Sequence, residues 1–180
     1  MPRPLTCAAA APPWSASDMS PPTSIKTIFI PLLVALPVIA VDQVTKVWTA
    51  RSFLFHEVKT VIPGCFNLVH ARNPGVAFSL FANLDERWVR PVLTAITILA
   101  IGGLLAASRS LSGKRPGLWG LGLVIGGAAG NLIDRIRLGY VIDFIDIYLG
   151  RFHWPVFNVA DIGITVGIFL LAADMIFENK

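Results

Sequence analysis

Residues 116–133 read PGLWGLGLVIGGAAGNLI, and Asp134 and Arg135 follow at once. The stretch carries no charge and approaches the roughly 20 residues that a helix needs to cross a hydrocarbon core. Gly122, Gly126 and Gly130 recur every four residues, which leaves one helix face bare and lets another helix lie close against it. The bare face predicts packing, not chemistry. A membrane-spanning helix built for close packing has partners, and the rest of the chain supplies them.

Upstream, the spacing predicts a span over Thr27 to Trp48, uncharged as far as Val41 and then carrying Asp42 and Lys46. Pro31 and Pro37 interrupt it, as membrane helices tolerate, and predict a kink. A second span covers Pro91 to Ser108, and a last one starts near Asn158 and runs uncharged from Ile162 to Ala173 before Asp174 and Glu178. The expected fold is an all-α membrane protein with four transmembrane helices. Between the first two helices, Val58 to Pro63 and Phe66 to His70 alternate like short strands, so a small β-rich region on the membrane surface is expected there.

Composition agrees. Of 180 residues, 54% are hydrophobic and 14% charged, too apolar for an ordinary soluble domain. The net charge of +4 is scattered between apolar runs rather than along one polar face, which argues against nucleic acid. Cys7 and Cys65 have no metal-ligand spacing, so neither a zinc site nor a disulfide framework is expected. Residues 1–24, rich in Pro, Ser and Ala, read as a disordered extension ahead of a single membrane-embedded domain over residues 25–180. Trp48, Trp88 and Trp154 fall near span ends, where interfacial anchoring accounts for them.

The short loop Arg109 to Arg115 carries Arg109, Lys114 and Arg115 and no acid, which makes it cytoplasmic and puts both termini on that side. Arg51, Lys59, Arg72, Arg87 and Arg90 oppose this reading, since they gather on the other face.

The carboxylates share that other face. Asp42 ends the first span, Asp134 the third, Asp161 begins the fourth and Asp143 lies in the loop between the last two. Ionisable groups at membrane depth are costly, so each is a functional candidate. Asn131 shares a helical face with Asp134 and Arg135, and Asn158 with Asp161. Asp42 and Lys46, at i and i+4, are expected to neutralise each other, as are Asp134 and Arg135. Asp143 and Asp161 have no cation within one helical turn, and a proton shared between carboxylates would relieve both. Such a pair can activate a water with one member and protonate a carbonyl oxygen with the other, without a metal or other cofactor. Spacing does not exclude Asp146 from either role. No HExxH or GxSxG occurs, and His56, His70 and His153 stand apart. A small proton-linked transporter is the alternative reading, but nothing ionisable lies between Pro116 and Ile133 or between Ile162 and Ala173 to relay a proton.

Four strings carry a family resemblance: DQVTK (Asp42 to Lys46), FNLVHARNPGVAFS (Phe66 to Ser79), GGAAGNLIDRIRLGYVIDF (Gly126 to Phe144) and FNVADIGITVG (Phe157 to Gly167). In this order and spacing they resemble the sequence blocks of the lipoprotein signal peptidases, signal peptidase II. The resemblance runs from about residue 25 onward. It implies a bacterial inner-membrane aspartic endopeptidase that cleaves prolipoproteins before a diacylglyceryl-modified cysteine, with its active site and β-rich region on the periplasmic side. It implies Asp143 and Asp161 as the catalytic dyad. Supporting or substrate-binding residues would be Asp42, Lys46, Asn67, Asn73, Gly75, Asn131, Asp134, Arg135 and Asn158. The implied partners are the prolipoprotein substrate and the bilayer, with the enzyme a monomer and no cofactor or metal.

Overall fold

The computed structural model describes residues 25–75, 86–108 and 115–178. Residues 1–24, the Arg109 to Lys114 part of the charged loop and the Val76 to Ser79 part of the second family block lie outside them. Among the described residues, four helices are long and apolar enough to cross a membrane: α1 Ile25–Ser52, α2 Glu86–Ala107, α3 Arg115–Arg137 and α4 Val159–Glu178. Each overlaps a predicted span and extends it by a few residues. Strands β1 Val58–Ile62 and β2 Phe66–Asn73 follow α1, and β3 Val141–Leu149 and β4 Phe152–His153 follow α3.

α3 is the hub. Within its span 61% of residues are buried inside the protein, against 17%, 6% and 11% for α1, α2 and α4. The outer helices instead present Leu33, Leu36, Leu99 and Phe169 outward, a surface that only lipid solvates cheaply. Glycine explains the hub. A Cβ at Gly122 would lie 2.7 Å from the Pro31 carbonyl oxygen, and one at Gly126 would lie 2.9 Å from that of Ala35, so α1 packs backbone to backbone on this stripe. A second stripe, which sequence reading missed, joins α3 to α4. A Cβ at Gly120 would lie 2.8 Å from the Gly167 carbonyl oxygen, and one at Gly167 would lie 2.6 Å from that of Gly120. At Gly130 the expectation of packing without chemistry fails, because the vacated space holds a carboxylate: a Cβ there would lie 2.6 Å from Asp42 Oδ2.

The sheet corrects the expected β region. It is not confined to the segment between the first two helices, because the loop between α3 and α4 contributes half of it. The order is β1-β2-β3-β4, antiparallel throughout. Asp143 therefore sits on strand β3, opposite Ala71 of β2, and not in a loop. Between Leu68 and Ala71 the register shifts, with three steps on β2 matching two on β3, so β2 carries an extra residue just beside Asp143. The chain then turns back: the Phe157 carbonyl accepts both the Phe144 and Ile145 amides, at 3.0 and 2.8 Å. That double hydrogen bond ties the start of α4 to the strand one residue past Asp143.

Candidate active site

The end of α4 nearest the sheet needs donors capped, and the sequence supplies a reciprocal cap. Asn158 precedes the helix, its Oδ1 accepting the Asp161 amide at 3.1 Å, while Asp161 Oδ2 accepts the Asn158 amide at 3.1 Å. This is a capping box with aspartate in the glutamate position. The next orphan donor, the Ala160 amide, goes to Asp42 Oδ1 at 3.0 Å. Asp161 thus sits in the first turn of α4.

The Asn158 side chain also faces the strand. Its Nδ2 donates to Asp143 Oδ1 at 2.7 Å and to Asn131 Oδ1 at 3.1 Å. Asn131, from α3, donates in turn to Asp161 Oδ1 at 2.9 Å. Two amides therefore bracket two carboxylates that come from a strand and a helix. Asn73, at the end of β2, completes the bracket by donating to Asp143 Oδ2 at 3.1 Å. Its own Oδ1 accepts the Gly75 amide at 2.8 Å, a turn for which Gly75 adopts φ +103°. That positive φ is what calls for glycine here, while a Cβ would also press on the movable end of the Leu93 side chain.

Beneath lies a buried ion network. Lys46 Nζ, 1% exposed, donates to Asn131 Oδ1 at 2.8 Å, Asp42 Oδ2 at 2.9 Å and Asp134 Oδ2 at 3.0 Å, which uses all three of its protons. Asp42 with Lys46 is the expected i, i+4 pair. Asp134 with Arg135 is not a pair: Asp134 is held by Lys46, by Gln43 Nε2 at 3.0 Å and by the Ile142 amide at 3.2 Å. Adjacent residues on a helix point in different directions, so Arg135 turns elsewhere. Its Nε is buried without a hydrogen-bond partner, and its charge is felt by Asp161, Asp143 and Asp134. Gln43, missed in sequence reading, also donates to the Gly130 carbonyl at 3.2 Å. Its position three residues before Lys46, on the same helical face, was the available signal.

Asn67 stands apart from the bracket. Its Nδ2 donates to Asp146 Oδ2 at 2.8 Å, and Asp146 Oδ1 meets His153 Nδ1 at 2.8 Å. Asp146 is thereby engaged in holding β2, β3 and β4 together, so it is spoken for structurally. Asp143 is 3% exposed. Burial first, and then the neighbouring Asp161 charge, push its pKa from 3.8 up to about 6, against the pull of the Asn73 and Asn158 hydrogen bonds and of Lys46. A carboxyl whose proton is held up to about pH 6, beside a second carboxylate in the first turn of a helix, offers an acid and base couple. Beside Asp161 opens a cavity of about 300 Å³, lined by Trp154, Phe157, Ile162, Thr165 and Val166.

The comparisons fit this geometry. The sequence profile of Signal peptidase (SPase) II matches residues 34–177. The lipoprotein signal peptidase of Oleidesulfovibrio alaskensis is 46% identical over 152 residues, which is 84% of this chain and 97% of that one. The lipoprotein signal peptidase of Syntrophus aciditrophicus is 41% identical over 156 residues, 86% of this chain and 97% of that one. Two solved bacterial membrane enzymes, determined in meso at 2.3 and 1.9 Å, superpose with TM-scores of 0.74 and 0.72 at 28% and 30% identity. They cover 87% and 84% of this chain and 92% and 94% of theirs. Because the matched stretch takes in every residue of the carboxylate bracket and of the ion network beneath it, the chain belongs to the signal peptidase II family.

Proposed function

We propose that this protein is an aspartic endopeptidase that removes signal peptides from bacterial prolipoproteins, cutting the peptide bond before the diacylglyceryl-modified cysteine with Asp143 and Asp161 as its dyad. The observation that carries this reading is the amide bracket, in which Asn158 and Asn131 hold the two carboxylates from both sides. Asp161 takes a proton from a water held between them as that water's oxygen attacks the scissile carbonyl carbon. Asp143 gives its proton to the carbonyl oxygen. The tetrahedral intermediate then collapses: a proton passes to the amide nitrogen, the C–N bond breaks and the second hydroxyl proton returns to the dyad. Arg135, whose charge is coupled to both aspartates, offsets the single negative charge that the pair carries from one step to the next.

A diacylglyceryl cysteine leaves the bilayer only at high cost. The cavity beside Asp161 is mostly apolar, as such a substrate requires, and lies along α4, where lipid can deliver it sideways. In this reading the dyad and sheet lie at the periplasmic face of the inner membrane and both termini are cytoplasmic, which the Arg109 to Arg115 loop supports. The test is cleavage of a diacylglyceryl prolipoprotein by the purified protein, with Asp143→Asn and Asp161→Asn alongside. Each variant should stay folded and lose turnover; wild-type rates in either one would refute the dyad.

A further inference from the structure

A second cavity, of about 290 Å³, lies between the end of α1, strand β2 and the turn after α3. None of the catalytic steps above uses it. Three guanidiniums line it, one from each wall: Arg51 in the last turn of α1, Arg72 on β2 and Arg137 at the end of α3. Among the described residues no carboxylate pairs with any of them. Arg72 is held instead by aromatic faces, its Cζ 4.4 Å from the Phe55 ring centre and 4.9 Å from that of Tyr140. Such faces attract a cation without neutralising it. Asp134 reaches the same cavity, but its oxygens are committed to Lys46, Gln43 and the Ile142 amide.

The helix ends do not balance this charge. Each C-terminus carries about half a negative charge, so α1 and α3 together offset about one of the three. All three arginines are exposed, and their surplus positive charge attracts an anion at a membrane surface. Val47, Ala50 and Leu138 give the cavity apolar walls, and from Val47 the exposed Val44 continues the apolar surface along α1 into the bilayer. An anion with a hydrocarbon tail matches both parts. We propose that this cavity binds the headgroup phosphate of an anionic phospholipid between Arg51, Arg72 and Arg137. The site accounts for arginines that accumulate on the dyad's face, where the rule for cytoplasmic positive charge does not call for them. It is separate from the substrate's own lipid, because a diacylglyceryl group has no phosphate.

The test uses the purified full chain in detergent. Phosphatidylglycerol and phosphatidylcholine with identical acyl chains are titrated in, and bound lipid is read by native mass spectrometry. The wild type should retain phosphatidylglycerol preferentially. Arg51→Gln and Arg137→Gln should each weaken that retention about fivefold, while Lys59→Gln, which removes an exposed cation outside the cavity, should not. Equal retention of the two lipids overturns the proposal, as does an equal loss with Lys59→Gln. Displacement by excess inorganic phosphate alone would make the site one for a free anion and overturn the lipid assignment. On the wild type, a photoactivatable phosphatidylglycerol should label peptides containing Val47 and Leu138. Labelling confined to other surfaces refutes the site even where a variant fails to fold.

Discussion

Replacing Asn158 with alanine tests the bracket at its most loaded point. The change removes the 2.7 Å bond to Asp143 Oδ1 and the side-chain cap on the Asp161 amide. Asp161 itself keeps Asn131 at 2.9 Å and the residue-158 backbone amide at 3.1 Å, which alanine retains. Loss of the cap costs about 1 kcal/mol, and loss of a donor to a buried carboxylate costs about 1–3 kcal/mol more. The variant should therefore fold with a lowered melting midpoint. Its chemistry carries the sharper sign. Asn158 stabilises the Asp143 anion, so without it the proton is held to higher pH. A hydrogen bond to a charged group contributes about 1.5 kcal/mol or more, and about 1.4 kcal/mol corresponds to one pH unit. In wild type, kcat/KM for a diacylglyceryl prolipoprotein should fall as pH rises above about 6, where Asp143 loses its proton. In Asn158→Ala that limb should move to higher pH by about one unit, while the plateau drops about a hundredfold through misplacement of the acid. Asn67→Ala, whose amide serves Asp146, should leave the limb in place. A limb that stays put or moves to lower pH in Asn158→Ala would refute the role of Asp143 as the acid held by this bond.

Lys46→Met strands Asp42 and Asp134 without their shared cation and should destabilise by about 3–5 kcal/mol, read as the melting midpoint in detergent; an unchanged midpoint would contradict the ion network. Gly127→Ala drives a methyl into the Ala160 carbonyl, prising α3 from α4 beside the dyad. It should cost about 1–3 kcal/mol of stability and lower turnover, and wild-type behaviour in both measurements would show that the two helices can part. Asp143 also makes stability depend on pH. Its folded pKa lies above its ordinary value, so its contribution is full below pH 3.8 and is lost as pH rises through about 6, a change of ~3 kcal/mol. Asp143→Asn should flatten that decline in melting scans between pH 4 and 7. Chelators should leave cleavage unaffected, and inactivation reversed by added metal would rule out a purely carboxylate mechanism.

The four helices were legible because crossing a bilayer demands uncharged runs of fixed length, a property of sequence alone. The Asp42–Lys46 pair was legible for a similar reason, since i and i+4 lie together on any helix. Partnerships set by tertiary structure were not. Asp134 sits beside Arg135 in sequence yet is neutralised by Lys46 of another helix. Sequence proximity on a helix does not bring neighbours face to face, so the pairing depended on how α1 meets α3. The strand under Asp143 was hidden for a different reason. VIDFIDIYL reads as a strand only once β2 is there to pair with it, and its partner lies some seventy residues earlier. Physical reading narrowed the dyad to a set of aspartates, and resemblance chose two. What separates those two from Asp146 is geometric: Asp146 is tied up by Asn67 and His153, whereas Asp143 takes the side-chain amide of Asn158, whose backbone amide serves Asp161.

Charge counting explains why the dyad needs the network beneath it. Among the described residues, Lys46 pairs with Asp42 and Asp134, and Arg135 is coupled by charge to Asp134, Asp143 and Asp161. With every carboxylate ionised, four negative charges would face two positive ones in a site largely withdrawn from water, a cost that the interior does not tolerate. Lys46 lies between Asp42 and Asp134 and is saturated by them and Asn131, so it has no donor left for the dyad. Among the described residues, the Arg135 charge is coupled to both Asp143 and Asp161, and a single proton on the pair brings its charge level with that guanidinium. The proton that the proposed mechanism requires is thus the same one that eases the charge of the buried site. Supplying Asp143 with a second cation would remove the need for that proton, so an added positive charge beside the dyad should deprive the site of its acid rather than strengthen it.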